Sequence, residues 1–310
     1  MKSIVIYHSM TGSTKKIAQA IHAGMSQRRE QCDIARLRDV NTHDLLDYDL
    51  IGLGSPVIRR RELRNVTNFI ENTMTSVDGK HGFAFCTHGA FPGHYLSRVV
   101  PAMIQRGLTV IGWNDWFGSV YYPAVPKPYF TDGHPDEIDL KEAEDFGREM
   151  VERSRRIYEG ETQLIPKFPR GSEYDELYEP TPQPPKEILA EFYKTQARIE
   201  LKVNPNKCKY PQCTLCIDNC PMHSIDFSVS PPLFNIDCDR CWLCEQACPN
   251  GAIEVDWLPY HNAHYPMIAP LQKSLEVFEA RGRFRRLVPL KDIGWDTFLW
   301  QFKHPRFKII

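Results

Sequence analysis

The stretch "CKYPQCTLCIDNCP", residues 208–221, puts four cysteines within fourteen positions. A second stretch, "CDRCWLCEQACPN", residues 238–250, repeats the pattern. The first block runs Cys208-x4-Cys213-x2-Cys216-x3-Cys220-Pro221, and the second runs Cys238-x2-Cys241-x2-Cys244-x3-Cys248-Pro249. The register continues beyond the cysteines, "CTLCIDNCPMHSIDF" against "CWLCEQACPNGAIEV", with a hydrophobic residue after each repeat (Ile225, Ile253). Disulfides, zinc and iron–sulfur clusters all use dense cysteine. A disulfide framework belongs to secreted chains, and the opening "MKSIVIYHSMTGSTKK" has neither the apolar core nor the small-residue cleavage site of a signal peptide. Structural zinc sites take cysteine pairs separated by longer spacers, not triplets followed by Cys-Pro. Cys32 and Cys86 stand apart and read as core residues.

The spacing C-x2-C-x2-C-x3-C-P is that of cluster-binding runs in which three close thiolates wrap one cubane and the fourth reaches a second. Over residues 201–256 the chain resembles the bacterial two-cluster ferredoxins. The resemblance implies two [4Fe-4S] clusters, one on Cys208, Cys213, Cys216 and Cys248, the other on Cys238, Cys241, Cys244 and Cys220. The departure is "KYPQ" between Cys208 and Cys213. Two extra residues enlarge one loop, which makes Cys208 the least secure ligand; the expectation is a bulge that still delivers its thiolate.

Residues 1–158 have a different texture. "SIVIY" (3–7), "CDIARL" (32–37), "DLIGLGS" (49–55), "GFAFCTH" (82–88) and "GLTVIGW" (107–113) read as strands, being rich in Val, Ile and Phe and bounded by Gly, Asp or Ser. Helical patterns intervene at 13–26, 62–74 and 94–106, and a long one follows at 136–158, with Asp136 as its cap. Strand–helix alternation predicts an α/β doubly wound, five-stranded parallel sheet. "YHSMTGSTKKIA" (7–18) stands at the first strand-to-helix turn, where hydroxyls, a glycine and a helix N-terminus make a phosphate cradle. Two further loops, "GLGSPVIRR" (52–60) and "CTHGAFPGHY" (86–95), end the third and fourth strands, where ligands bind in such sheets.

With these three loops the first 158 residues resemble the flavodoxins. The resemblance implies FMN, its phosphate held by Ser9, Thr11, Gly12, Ser13 and Thr14. It implies Ser55, Pro56 and Val57 along one side of the flavin, and Thr87, His88, Gly89, Ala90, Phe91 and Gly93 along the other. The stacking aromatic usual after the third strand is not evident; Phe91 and Tyr95 are the nearest candidates. His88 reads equally well as a solvated loop residue, and no residue is assigned as catalytic. The long connection at 115–135, "DWFGSVYYPAVPKPYFTDGHP", reads as an apolar lid packed on this domain, or as a surface over the flavin.

Residues 159–200 are expected to be a proline- and acid-rich linker with a short helix at 186–198, and 257–310 a tail with a helix at 266–281. From 281 to 310 there are eight Lys/Arg against two Asp/Glu, a basic aromatic strap over the ferredoxin domain or a docking patch for an acidic redox partner. Trp242 and Trp257 lie near the cluster cysteines and read equally well as limits on water access or as plain packing. Formal net charge is −1, which gives no ground for nucleic acid as a partner, and no apolar run reaches the roughly 18 residues of a membrane span. The expected setting is the cytoplasm of an anaerobe. The two halves together resemble flavodoxin–ferredoxin fusion proteins. The resemblance implies an electron-transfer protein relaying low-potential electrons between clusters, FMN and a redox partner enzyme, with reductive activation of that enzyme as the narrower form of the role. An FMN-dependent reductase of a small substrate is the alternative, with His88, His94 and the Tyr121–Tyr122 pair as candidate acids. Flavin and clusters would communicate within one chain or across a homodimer.

Overall fold

The structure is a computed structural model that describes residues 1–27, 31–179, 184–235 and 237–307. Its chain divides into two compact units, Met1–Ser119 with Gly133–Glu179, and Val120–Asp132 with Pro180–Ile310.

In the first unit, β1 (Lys2–Tyr7), α1 (Ser13–Met25), β2 (Gln31–Arg36), β3 (Leu50–Pro56), α2 (Arg64–Asn68), β4 (His81–His88), α3 (Tyr95–Gln105), β5 (Thr109–Phe117) and α4 (Glu137–Tyr158) alternate as expected. The five strands are all parallel and lie in the order β2-β1-β3-β4-β5. That is the flavodoxin-like order, and its switch point lies between β1 and β3. The central strands are buried on both faces, which is why they read as continuous apolar runs. One face packs Val5, Ile17, Ile21, Phe83, Phe85 and Met150; the other packs Ile6, Leu53, Val66, Val99 and Met103. Asp136 caps α4 as expected, accepting from Ile138 N and Asp139 N, with Asp139 completing a capping box.

Two segments depart from expectation. The stretch after α4 is not extended. It forms α5 (Ser172–Tyr178), whose Tyr174 and Tyr178, together with Phe168, join the core of the first unit. The linker reading saw proline and acid but not the spaced aromatics that find a local core; residues 180–183 lie outside the described residues. The second departure is the connection after β5. Ser119 N donates to His134 O (2.9 Å), so the ends of the excursion meet in the first unit, while Val120–Asp132 belongs to the second.

The second unit continues with α6 (Lys186–Arg198), β6 (Lys202–Val203), α7 (Leu215–Asp218), β7 (Ile225–Asp226), β8 (Leu233–Phe234), α8 (Leu243–Ala247), β9 (Ile253–Glu254) and α9 (Trp257–Ala280). Two short antiparallel pairs, β6–β9 and β7–β8, flank the repeated α7 and α8. The last helix begins nine residues before the expected 266, at an Asp256 cap that accepts from Leu258 N; Pro266 and Pro270 sit inside it. An aromatic core of Phe192, Trp242, Trp257 and Tyr260 encloses Ala124 from the excursion. The tail is a strap, as favoured above. Lys127 N donates to Thr297 O (2.8 Å), Leu299 N to Val125 O (3.1 Å) and Trp300 N to Pro123 O (2.9 Å), so excursion and tail are laced together. Among the described residues no helix is long and apolar enough to cross a membrane.

Candidate functional sites

In the second unit the eight cysteines gather as two sets. Cys208, Cys213, Cys216 and Cys248 line one small cavity, whose other walls include Val203, Leu215, Ile225, Phe234 and Ile253. Burial pushes the Cys216 thiol up to about 11, and Cys248, Cys213 and Cys208 push it in the same direction. Burial pushes Cys241 up to about 12, with Cys238 and Cys220 adding to the rise. Cys244 is raised well above the ordinary thiol value by burial, then by Cys241, Cys238 and Cys220, and it also feels Cys216 of the other set. Two adjacent groups of four half-buried thiols repel one another once ionised, so they call for cationic centres among them. Sulfur-only donors in fours fit 4Fe-4S cubanes.

The duplication is visible in hydrogen bonds as well as in spacing. Cys220 Sγ accepts from Ser224 N (3.3 Å) and Cys248 Sγ from Ala252 N (3.2 Å), each four residues on. Cys238 Sγ accepts from Arg240 N (3.3 Å). Such N–H···S bonds are among the groups that set cluster potentials. The "KYPQ" insertion is absorbed locally: Cys213 N donates to Lys209 O (3.0 Å), closing one turn, and Tyr210 Oη donates to Phe227 O (2.8 Å). The loop bulges outward, and Cys208 stays with its three partners around the cavity.

Trp242 and Trp257 do not stand in solvent over the clusters. They pack edge to face (4.9 Å) in the aromatic core. Glu245, between Cys244 and Gln246, is 1% exposed, and both its carboxylate oxygens accept from Arg306 of the tail (2.5 Å each), with His304 Nε2 3.6 Å from Oε1. Gln246 is held from two sides, donating to Tyr121 O (2.5 Å) and accepting from Arg306 N (2.8 Å). Neither contact was legible from the spacing of the cysteines.

In the first unit the three expected loops stand at the carboxyl ends of adjacent strands. The turn after β1 leads into α1, whose N-cap Gly12 has φ +106, a left-handed conformation suited to glycine. Lys15 N donates to Ser9 Oγ (3.2 Å). Ser9, Thr11 and Ser13 are half-buried. Thr14 is buried and its Oγ1 lies 2.8 Å from Thr87 Oγ1, tying the first loop to the end of β4. Val57 N donates to Thr87 O (2.8 Å), tying the second loop to the same place, while the buried Ser55 hydroxyl donates to Pro56 O (3.2 Å). The hydroxyls of Thr14, Ser55 and Thr87 thus serve the protein's own framework.

Pro56, Val57, Gly89 and Ala90 remain half-buried along the second and third loops. His88 is not a solvated residue: it is buried, with Nε2 2.8 Å from Asp115 Oδ2 and its ring edge-on to Phe117. Phe91 is covered by the Arg60 guanidinium (5.0 Å), and Tyr95 is fully buried in the core, which removes it as a stacking aromatic. Gly93 is fixed by close approach, since a Cβ there would stand 2.4 Å from Arg60 O.

Sequence reading missed His8 and Asn65. His8 Nδ1 lies 3.3 Å from Asn65 Nδ2, while His8 Nε2 and Asn65 Oδ1 are buried with no hydrogen-bond partner. Burial, then the Arg38 charge, push His8 down to about 4, so it is neutral at pH 7. Orphaned polar atoms beside a helix N-terminus and three strand ends fit a polar ligand such as FMN. Position alone, immediately after β1 and at the start of α2, was the signal available for them.

A flavodoxin-domain family model matches residues 4–95, and a 4Fe-4S binding-domain model matches residues 235–254. A flavodoxin of Clostridium beijerinckii is 25% identical over 149 residues, 47% of this chain and 97% of that protein. A flavodoxin of Aquifex aeolicus is 25% identical over 179 residues, 54% of this chain and 94% of that protein. An uncharacterized ferredoxin of Methanocaldococcus jannaschii is 37% identical over 63 residues, 19% of this chain and 97% of that protein. Among solved structures, a flavodoxin from the domain Archaea is 24% identical, covers 50% of this chain and 99% of its own, and has a TM-score of 0.41.

Proposed function

The chain belongs to the ferredoxins through its second unit and carries a flavodoxin domain before it, and from that premise we propose that this FMN and iron–sulfur electron-transfer protein is a relay serving a redox partner enzyme. When bound, the clusters exchange single electrons and FMN takes one or two, so the combination suits conversion between one- and two-electron donors and acceptors. The observation that carries the reading is the pair of adjacent cysteine sets, both complete in fours despite the enlarged loop. Two clusters side by side make a conductor, and nothing about their ligands suggests a structural metal alone.

The chain's own residues would hold and insulate. Ser9 through Thr14 would take the FMN phosphate at the start of α1, and the half-buried Pro56, Val57, Gly89 and Ala90 would flank the ring. His8 and Asn65 would donate to or accept from it. The N–H groups of Ser224, Arg240 and Ala252 would stabilise the reduced, more negative clusters.

Two of the four candidate acids for small-substrate reduction are engaged elsewhere: His88 with Asp115 and His94 with Glu179. This favours the relay over the reductase. Purification without oxygen, followed by iron, sulfide and flavin assay, tests it. Two clusters and one flavin give about eight irons and one FMN per chain. Zinc in place of iron, or a chain that takes up no flavin, would sink the relay. Turnover of a small molecule with no protein acceptor would instead establish the reductase.

A further inference from the structure

The loops after β3 and β4 are bound to one another and then to a segment outside the matched flavodoxin domain. Arg59 and Arg60 both have positive φ (55 and 65) in a two-residue turn closed by Ile58 N to Arg61 O (2.8 Å) and Arg61 N to Ile58 O (3.2 Å). Such turns ordinarily take Asn-Gly, and left-handed backbone is unfavourable for a bulky L-residue. Strain of this kind persists only where surrounding structure holds it.

The surroundings are specific. Arg60 O accepts from His94 N (2.7 Å), which joins the turn to the end of the third loop. The Arg60 guanidinium covers Phe91 and is ion-paired to Glu179, which is itself 3.7 Å from His94 Nδ1. Tyr174 Oη donates to Gly93 O (2.6 Å). Trp113 Nε1 donates to Tyr178 Oη (3.0 Å), and the rings of Phe168, Tyr174 and Tyr178 follow one another at 5.8 and 4.8 Å. Glu179 is therefore a single carboxylate at the junction of both loops, on the last residue of its unit.

We propose that residues 168–179 are a clamp on the FMN site, with Glu179 as the positioning residue that sets Arg60, Phe91 and His94, and so the two flavin-flanking loops, in binding shape. The proposal rests on those loops lining FMN. It makes flavin affinity depend on a segment that lies beyond α4 and outside residues 4–95. Glu179 acts through Arg60 and need not touch the flavin.

The full-length chain, stripped of FMN and titrated anaerobically with it, supplies the test. Glu179→Gln keeps the shape and removes the charge; Tyr174→Phe keeps the ring and removes one hydrogen bond. Both should weaken FMN binding, Glu179→Gln by roughly tenfold (about 1.4 kcal/mol), and change the visible circular dichroism of the bound flavin. Glu179→Asp should restore part of both. Thermal unfolding separates the clamp from a plain structural brace: a lowered Tm with unchanged Kd and unchanged flavin dichroism would overturn the proposal. Should Glu179→Gln fail to fold, Tyr174→Phe carries the same decision. Ala90→Trp, in the third loop, checks the site itself. If it blocks FMN while the Glu179 and Tyr174 variants bind normally, the clamp is refuted and the site stands; if it too binds normally, the site assignment falls.

Discussion

Ala124 belongs to the connection after β5 of the first unit, yet its side chain is fully buried among Phe192, Ile199, Trp242, Trp257, Tyr260 and Met267 of the second. Replacing it by leucine adds three carbons where the interior has no space for them. Overpacking of this kind costs roughly 1–3 kcal/mol. With a urea slope of about 2 kcal/mol per molar, the loss should come about 0.5–1.5 M earlier. Phe130→Ala perturbs the same connection in the opposite sense. Phe130 is also fully buried and packs edge-on to Trp295 of the tail (5.8 Å), so the cavity should cost roughly 3–5 kcal/mol. A domain's stability is only about 5–15 kcal/mol. The assay follows cluster absorbance and flavin dichroism side by side in anaerobic urea series at a fixed incubation time, since cluster loss is irreversible. Both variants should bring forward the loss of the clusters and leave the flavin transition where it was. The reverse outcome, an earlier flavin transition with the clusters unmoved, would mean that this connection is a lid on the first unit and that its assignment to the second is wrong.

Other expectations follow from single contacts. Cys208→Ser should alter the electron paramagnetic resonance spectrum of one reduced cluster and lower iron by about one to four per chain; eight irons with an unchanged spectrum would remove Cys208 from the ligand set. Arg306→Ala should cost the second unit roughly 3–5 kcal/mol by leaving the buried Glu245 without its arginine, and adding Glu245→Gln should recover much of it in denaturant curves. His264, 8% exposed in the aromatic core, is pushed down to about 4 by burial, with His261 adding to the fall against a bond near Ala124. A depressed histidine gives stability that is present above its unfolded value of about 6.5 and is lost as pH falls toward 4, up to about 1.4 kcal/mol per unit. His264→Phe should flatten that part of the pH profile of cluster retention; an unchanged slope would show that other groups carry it.

The parts legible in the sequence were those with local cause. The five strands showed as apolar runs because parallel strands are covered on both faces, and Asp136 showed as a cap because capping is decided within four residues. The duplicated cysteine spacing was legible within the chain itself, whereas the exchange of Cys220 and Cys248 between the two sets was implied only by the resemblance to two-cluster ferredoxins. What was not legible depends on distant partners. The aromatic excursion at 120–132 looked like a lid because nothing in its own residues says that it pairs with 294–300. The clamp at 168–179 hid in a proline- and acid-rich composition, and its tyrosines acquire meaning only once Gly93 and Trp113 lie beside them. The start of α9 was hidden by Pro266, which reads as a first helical position but is accommodated inside the helix. Among candidate site residues, the loops were found and the orientation of their hydroxyls was not, because Thr14 and Thr87 meet across 73 positions.

The lacing of excursion and tail also sets an order of events during synthesis. More than 160 residues separate Asp132 from Gly294. At about 5–20 residues per second, residues 120–132 leave the ribosome roughly 8–30 s before the segment they bond to. For that interval the apolar excursion has no mate, and the cysteine loops at 208–248 are complete but not yet strapped down by Arg306. Iron–sulfur assembly machinery would find its ligands open during that window, and residues 294–306, emerging later, would close the unit over whatever has been delivered.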